Sequence, residues 1–355
     1  MRIALIASPF LSVPPKQYGG TELFIAQLAE GLARLGAEVV VYANGESKVN
    51  VETRWLYAED DWPIEGEMYA NLKDLNHTSW AINDCLPDAD VIHLNNAPGL
   101  AFSRRRGPRW VYTVHHPHLP ALTEFYAGFQ KNVDFVSISD FQKQKEPLKN
   151  IRTIHHGIDL NLYELQAKKQ QYLSFLGRIA PVKGVHNAIE IAKRSGIPLK
   201  IAGEVQPMFR EYFESCIKPQ IDGKFIEYVG PADLAMKNDL LGNSMALLFP
   251  IEWDEPFGLV MVEAMAVGTP VIAFPGGSVQ EVVREGVSGF ICAGVDDAVF
   301  RLREVASLRP AAIRAYTQQH FSVERMVQDY LALYRERFDE VTLFEDSDIG
   351  SQAAA

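Results

Sequence analysis

The chain has 355 residues, 47% apolar and 22% charged, with a formal net charge of -11, a size that suits two domains each burying its own core. So acidic a balance excludes general nucleic-acid binding, which needs clustered Lys and Arg in excess. Cys85, Cys216 and Cys292 are odd in number, far apart and without CxxC spacing or a neighbouring His pattern, which argues against zinc and for buried thiols in a reducing, cytoplasmic compartment.

The first segment, MRIALIASPFLSV, is broken by Ser8 and Pro9 and lacks a small-x-small cleavage site, so it reads as a buried strand rather than a signal peptide. Helix TELFIAQLAEGLARL follows, ended by Gly36, then strands EVVVYA, DVIHLN, WVYTV and DFVSIS. Strands this uniformly apolar, separated by helices, indicate a parallel sheet covered on both faces. After IRTIHHGIDL and the polar ELQAKKQQ the pattern restarts: YLSFLG, a helix after Lys183, PLKIAG, a helix near Pro207 to Cys216, FIEYVG, another helix, MALLFP, helix GLVMVEAMAV and TPVIAF. The expected fold class is therefore α/β, two doubly wound Rossmann-like parallel-sheet domains facing an interdomain cleft, the default ligand site. The expected boundaries are 1–157, 158–320, a helix over 321–338 returning to the first domain, and an acidic frayed tail over 339–355. No run of eighteen or more apolar residues occurs, so no transmembrane segment is expected.

The run GLVMVEAMAV is apolar on every face except at Glu263. A buried carboxylate needs a partner, whether a backbone group, an Arg or a ligand. Upstream, Glu255 precedes Pro256, Phe257 and Gly258, where the helix should begin, beside free N–H groups and the positive dipole end; alone it could simply compensate that dipole. A glycine-flanked helix start after strand MALLFP is also a seat for a diphosphate. Two carboxylates beside a diphosphate make sense only if they accept hydrogen bonds from hydroxyls while cations balance the phosphates. Sugars supply the hydroxyls. Arg178 and Lys183, in SFLGRIAPVKG after the second domain's first strand, are the candidate cations, with plain surface charges as the alternative.

In the first domain, PPKQYGGTE places Gly19 and Gly20 before a helix, where backbone can approach a phosphate or simply turn tightly; it is not GxGxxG, so the dinucleotide fingerprint is absent. TVHHPH, at the end of strand WVYTV, presents His115, His116 and His118 towards the cleft. No Cys or carboxylate sits at ligand spacing for zinc, and adjacent strand residues point in opposite directions. His115 is then a substrate-bonding residue or a loop-packing one. The DAD at 88–90 reads as a turn into strand VIHL. SRRRGPR, Arg104 to Arg109, reads as a solvated loop, with weak peripheral contact to anionic lipid or a phosphorylated acceptor as the alternative.

Taken in order, YGGTE, TVHH, HHGID, LGRIAPVKG and DEPFGLVMVEAMAVGTPVIAFPGGSVQEVV resemble glycosyltransferase family 4, the retaining, nucleotide-sugar-dependent group 1 enzymes of GT-B fold, over Met1 to about Phe338. Two glutamates separated by seven residues in EPFGLVMVE carry most of the likeness. The resemblance implies that Glu255, with the backbone of Phe257, Gly258 and Leu259, holds the donor sugar's hydroxyls, and that Glu263 accepts from the ribose. It implies that Arg178 and Lys183 neutralise the diphosphate, that Gly20, beside Gly19, approaches the same phosphates, and that His115 lies beside the transferred sugar. Gly203 and Glu204, with Tyr228 and Val229, fall where the family lines the nucleoside pocket. The implied reaction is metal-independent, front-face transfer of a hexosyl group from a nucleotide-sugar donor, UDP-linked by family frequency, with no cofactor; the acceptor stays open because Val49–Asn83 matches no pattern. Two other readings are a sugar-nucleotide epimerase of the same architecture, which should show a different carboxylate and histidine arrangement, and a non-catalytic sugar-nucleotide binder.

Overall fold

A computed structural model of the protein describes residues 1–16, 19–62, 64 and 66–348. Its first seven strands are β1 (Arg2–Ile6), β2 (Glu38–Ala43), β3 (Glu52–Trp55), β4 (Val91–Leu94), β5 (Arg109–Val114), β6 (Val133–Ser137) and β7 (Ile151–Thr153). All pair parallel, in the order β3-β2-β1-β4-β5-β6-β7. A second parallel sheet comprises β8 (Leu173–Leu176), β9 (Leu199–Ala202), β10 (Ile226–Gly230), β11 (Ala246–Phe249), β12 (Val271–Ala273) and β13 (Gly289–Ile291), ordered β10-β9-β8-β11-β12-β13. Counted from the first strand of each, both follow the doubly wound order 3-2-1-4-5-6, the first adding an edge strand.

The helices of the first half are α1 (Gly20–Arg34), α2 (Glu67–Cys85), α3 (Pro120–Ala127) and α4 (Asp140–Lys145). Those of the second are α5 (Val185–Ser195), α6 (Arg210–Tyr212), α7 (Leu234–Asn243), α8 (Leu259–Ala266), α9 (Val279–Val282), α10 (Val295–Arg301) and α11 (Pro310–Phe321). The last, α12 (Val323–Asp348), lies against α1 and β5 of the first half. Alternation along the strands explains the layering: Ile3 and Leu5 face a core shared with Phe24 and Leu28 of α1, whereas Ala4 and Ile6 face one shared with Ala81 and Ile82 of α2. Helix α8 is apolar on every face except at Glu263 because it is buried from Met261 to Ala266, packed between its sheet and α11.

Buried polar bonds tie α12 down. Tyr334 OH lies 2.7 Å from His93 Nδ1, His93 Nε2 lies 2.8 Å from Thr113 Oγ1, and Thr113 lies 2.9 Å from Tyr330 OH. Burial holds the His93 imidazole down to about 3, so this network is neutral. The chain passes between the halves at two adjacent places: Ile158 N–H donates to Phe321 O (2.9 Å) and Val323 N–H donates to Ile158 O (3.0 Å).

Some elements depart from the sequence reading. β3 falls inside Val49–Asn83 and α2 begins inside it and runs on to Cys85, and the helix expected near Pro207 is a broken series of short turns around α6. Cys85 and Cys292 are buried as expected, but Cys216 is exposed. Helix α12 continues to Asp348, past residue 339 where a frayed tail was expected; residues 349–355 lie outside the described residues. Among the described residues, no helix is long and apolar enough to cross a membrane.

Candidate active site

In a doubly wound sheet the strand order reverses once, and the loops leaving the carboxyl ends of the strands on either side of that point splay apart to leave a crevice. The reversals lie between β1 and β4 and between β8 and β11. Loops from the two halves face one another across the molecule: a β-carbon on Gly20, after β1, would sit 3.4 Å from Leu259 Cδ1, after β11, and Trp62 Nε1–H, after β3, donates to Glu204 Oε1, after β9, at 3.4 Å. Between them lies a cavity of about 460 Å³, lined by Gly19, Gly20 and Trp62 from one half and by Gly203, Glu204, Leu259 and Glu263 from the other.

Arg178, Lys183 and Glu255 do not line this cavity; they form a charged cluster in the loops after β8 and β11, built on backbone packed against backbone. Gly184, at the N-terminus of α5, has φ +71°, and a β-carbon there would meet Pro250 O at 1.8 Å; only glycine lets the loop after β8 lie so close to the loop after β11. That approach puts Lys183 Nζ 2.5 Å from Glu255 Oε2 and 4.4 Å from the centre of the Trp253 ring, whose Nε1–H also donates to Glu255 Oε2 (2.8 Å). Burial lowers the Lys183 pKa, Glu255 opposes that shift, and Arg178 reinforces it. Arg178 Nε is buried and has no hydrogen-bond partner among the described residues, and no carboxylate among them pairs with this guanidinium. Of these two neighbouring cations, Lys183 holds the Glu255 carboxylate and Arg178 is left without one among the described residues.

The loop that carries Glu255 rests on the PGGS turn. Gly277 has φ +58°, and a β-carbon there would lie 2.1 Å from Glu255 O; Ser278 N–H donates to Glu255 O and Ser278 Oγ to Phe257 O, both at 2.9 Å. Phe257 itself is buried against His156 and Phe321, so it supports the loop from behind. Gly258 is the left-handed residue before α8, and Leu259 reaches the cavity.

Glu263 is 2% exposed, but its partner comes from the protein: Oε1 accepts from Lys237 Nζ and from Tyr163 OH, each at 2.9 Å. The expectation that a ligand would supply its partner is thus corrected. Neither bond falls on Oε2. Glu204 likewise has one oxygen on Trp62 and a buried Oε2 without a partner. Tyr228 and Val229 do not line the cavity; Tyr228 OH donates to Gly203 O (2.7 Å) and Val229 packs into the core, so they hold the cavity wall in place.

His115 is partly buried, and because Asn95 Oδ1 can only accept, His115 Nε2–H donates to it (3.0 Å). It stacks on His156 and meets Phe24 edge-on. Burial above all, then the neighbouring histidines, holds its pKa well below the ordinary value, so it is neutral. His118 donates to Glu146 Oε1 (3.0 Å) and is thereby committed away from His115. In the one metal-like grouping among the described residues, Asp140, His155 and Glu281 bring ligand atoms within 4.8 Å of one another. The oxygens of Glu281 are occupied by Asp140 N–H (2.7 Å), Phe141 N–H (2.6 Å) and His155 Nε2–H (2.9 Å), which makes this a hydrogen-bonded joint from α9 onto the start of α4.

Glu22, Lys237, Trp253 and Glu281 belong to the site or its supports and were missed by sequence reasoning. The glutamates in YGGTE and SVQEVV were visible within the quoted motifs, yet no local pattern shows what faces them.

Residues 163–315 match the family described as glycosyl transferases group 1, and residues 18–162 match glycosyltransferase family 4. Phosphatidyl-myo-inositol mannosyltransferase of Mycobacterium leprae is 27% identical, with 88% of this chain and 89% of that protein covered. Among solved structures, sucrose-phosphate synthase from Thermosynechococcus elongatus superposes with TM-score 0.77 at 20% identity, over 96% of this chain and 99% of that one. Anabaena HepE in complex with UDP and glucose gives 0.74 at 18%, over 95% and 100%. These likenesses do not favour the epimerase reading; with the family matches on both halves and a GT-B fold throughout, the chain is an enzyme of the group 1, family 4 glycosyltransferases.

Proposed function

We propose that this enzyme moves a sugar, with retention, from a nucleoside diphosphate sugar, preferably UDP-linked, to an acceptor hydroxyl, without a metal ion. The observation that carries the proposal is the Arg178–Lys183 pair: Lys183 is held by Glu255, while the neighbouring Arg178 has a buried Nε with no partner among the described residues. A diphosphate supplies what that corner lacks. The UDP held by Anabaena HepE, a structure of the same fold, supports this choice of ligand.

The chemistry follows from the charges. As the anomeric bond breaks, positive charge builds on the sugar and negative charge on the leaving diphosphate; fixed cations aimed at the diphosphate stabilise that state, each such preorganised group being worth about 3–4 kcal/mol. Arg178 and Lys183 supply the charge a metal would otherwise bring. Glu255 keeps one oxygen off Lys183 and Trp253 for a sugar hydroxyl, while Glu263 Oε2 and Glu204 Oε2 offer acceptors to the nucleoside. Neutral His115, in the loop after β5 of the first half, is assigned to hydrogen bonding with the transferred sugar. On this reading the leaving phosphate takes the acceptor's proton on the same face, so no separate base is needed.

The test is a screen of nucleotide release from UDP-, GDP- and ADP-sugars with and without candidate acceptors and with EDTA, followed by the anomeric configuration of the product. Acceptor-dependent release that survives chelation, with retained configuration, is the expected result. A trapped glycosyl-enzyme adduct would refute the front-face step, and a changed sugar still attached to its nucleotide would refute transfer.

A further inference from the structure

Glu22 lies in the first turn of α1, two residues past Gly20, and is only 8% exposed. Carboxylates are almost never so buried without a partner, yet among the described residues no side chain or backbone group of another residue hydrogen-bonds this one. In a capping box a glutamate at the third helical position accepts from the N–H of the residue before the helix; here that residue is Gly19, and among the described residues no such bond joins it to Glu22. Its Oε2 instead lies 2.7 Å from where a β-carbon on Gly19 would be, so the carboxyl rests against the glycine that lines the cavity.

The surrounding charges do not relieve it. Asp60, on the cavity wall, disfavours a second negative charge, and Lys16 is already bonded to Asp60 (3.0 Å) and Glu46 (2.8 Å). Across the cleft Lys237 is held by Glu263, and Glu204 adds another carboxylate. Burial above all raises the Glu22 pKa from 4.5 to about 7, with its own backbone N–H opposing and Asp60 adding to the shift. His93, His115 and His156, which pack against Phe24 of the same helix, are held neutral by burial around that pH.

Building on the reading of the cleft as a nucleotide-sugar site, we propose that Glu22 binds the diphosphate as the neutral acid, its carboxyl O–H donating to a phosphate oxygen seated at the Gly19–Gly20 turn. A phosphate beside an ionised carboxylate is repelled; beside the protonated acid it gains a hydrogen bond at a helix start whose free N–H groups already favour anions. Binding therefore takes one proton from solvent onto a carboxylate oxygen, and no covalent bond of the ligand changes. Donor affinity and proton uptake are linked by that step.

The test uses the full-length protein and UDP-glucose without acceptor, since the diphosphate diester has no phosphate titrating near neutrality. Calorimetry in buffers of different ionisation enthalpy reads proton uptake, and titrations from about pH 6 to 8.5 read Kd. Wild type should take up a proton at about pH 8, with Kd rising by up to about tenfold per pH unit above the carboxyl's titration. Glu22→Gln keeps the size and a hydrogen-bond donor; it should take up none and hold Kd within about twofold. Equal uptake in both proteins, a pH-flat wild type, or a Glu22→Gln effect confined to the acceptor KM would overturn the assignment while leaving the nucleotide-sugar reading intact. Failure of UDP-, GDP- and ADP-sugars to bind either protein would sink both. The wild-type profile needs no substitution, so a poorly folding variant does not remove the test.

Discussion

In the second half of the molecule, the loops after β8 and β11 bring Arg178, Lys183 and Glu255 together as charges that stay paired or await an anion. In the first half, the loops after β1, β4 and β5 present Gly19, Gly20, Asn95 and His115, and the titratable groups near them are pushed towards neutrality: His115 down, Glu22 up. The two sheets share one strand order, so topology determines where a ligand can sit in both. What differs is what opposes burial. On the second wall Glu255 opposes the effect of burial on Lys183, whereas on the first no ion pair among the described residues offsets it at Glu22 or His115.

The largest expected effect falls on the charged wall. Arg178→Ala should lower turnover by about 10²–10³-fold, roughly 3–4 kcal/mol of transition-state stabilisation, with little change in Tm, because Arg178 holds no carboxylate among the described residues. Turnover within twofold of wild type would erase the contrast between the walls.

On the neutral wall the signature is pH. The Glu22 carboxyl titrates at about 7 when folded and near 4.5 when unfolded, so below pH 4.5 it is protonated in both states and contributes no difference. As pH rises from there to about 7 the unfolded chain ionises first, and folded stability is lost. Glu22→Gln should remove that loss, leaving the variant more stable than wild type at pH 8 by up to about 3 kcal/mol and by no comparable margin at pH 4. Urea unfolding at both pH values measures this; an equal difference at the two would show that burial does not neutralise the group.

Where the halves touch, Glu281→Ala should cost about 1.5–3 kcal/mol, because charged hydrogen bonds to Asp140, Phe141 and His155 disappear. Chemical denaturation gives that figure, and Glu281→Gln should recover part of it by still accepting from the backbone. The smallest effect belongs to Trp62→Phe, which removes only a long bond to Glu204. It should change donor affinity by about 0.5–1.5 kcal/mol, and a larger loss would mean that Trp62 itself contacts the ligand.

What could be read from the chain depended on how local the signal was. Apolar strands and helix α8 declare themselves in consecutive residues, and the short connection from Glu255 to Glu263 encloses a single turn and helix, so both carboxylates were found without coordinates. β3 was missed because an edge strand with exposed Glu52 and Trp55 alternates weakly, and α2 because Met68, Tyr69 and Leu72 face outward and blur its periodicity. The partners of Glu263 and Glu281 were illegible for another reason. Lys237 lies 26 residues from Glu263, and His155 lies 126 from Glu281, so these pairings exist only after the sheets have packed. The raised pKa of Glu22 is equally a product of packing, since its sequence neighbours alone suggest an ordinary helix cap.

The paired passage of the chain at Ile158 and Ser322 constrains more than the position of α12. Two strands of backbone, bonded side by side through Ile158, Phe321 and Val323, act as the pins of a hinge: rotation about their common line is soft, while sliding or twisting one half against the other strains both pins. Any opening of the cleft is therefore expected to follow that one rotation, which a second structure with donor bound would check. On such a rotation the approach of Gly20 to Leu259 and the bond from Trp62 to Glu204 should part first, and the Glu281 joint, anchored beside His155 a few residues from the pins, should move least.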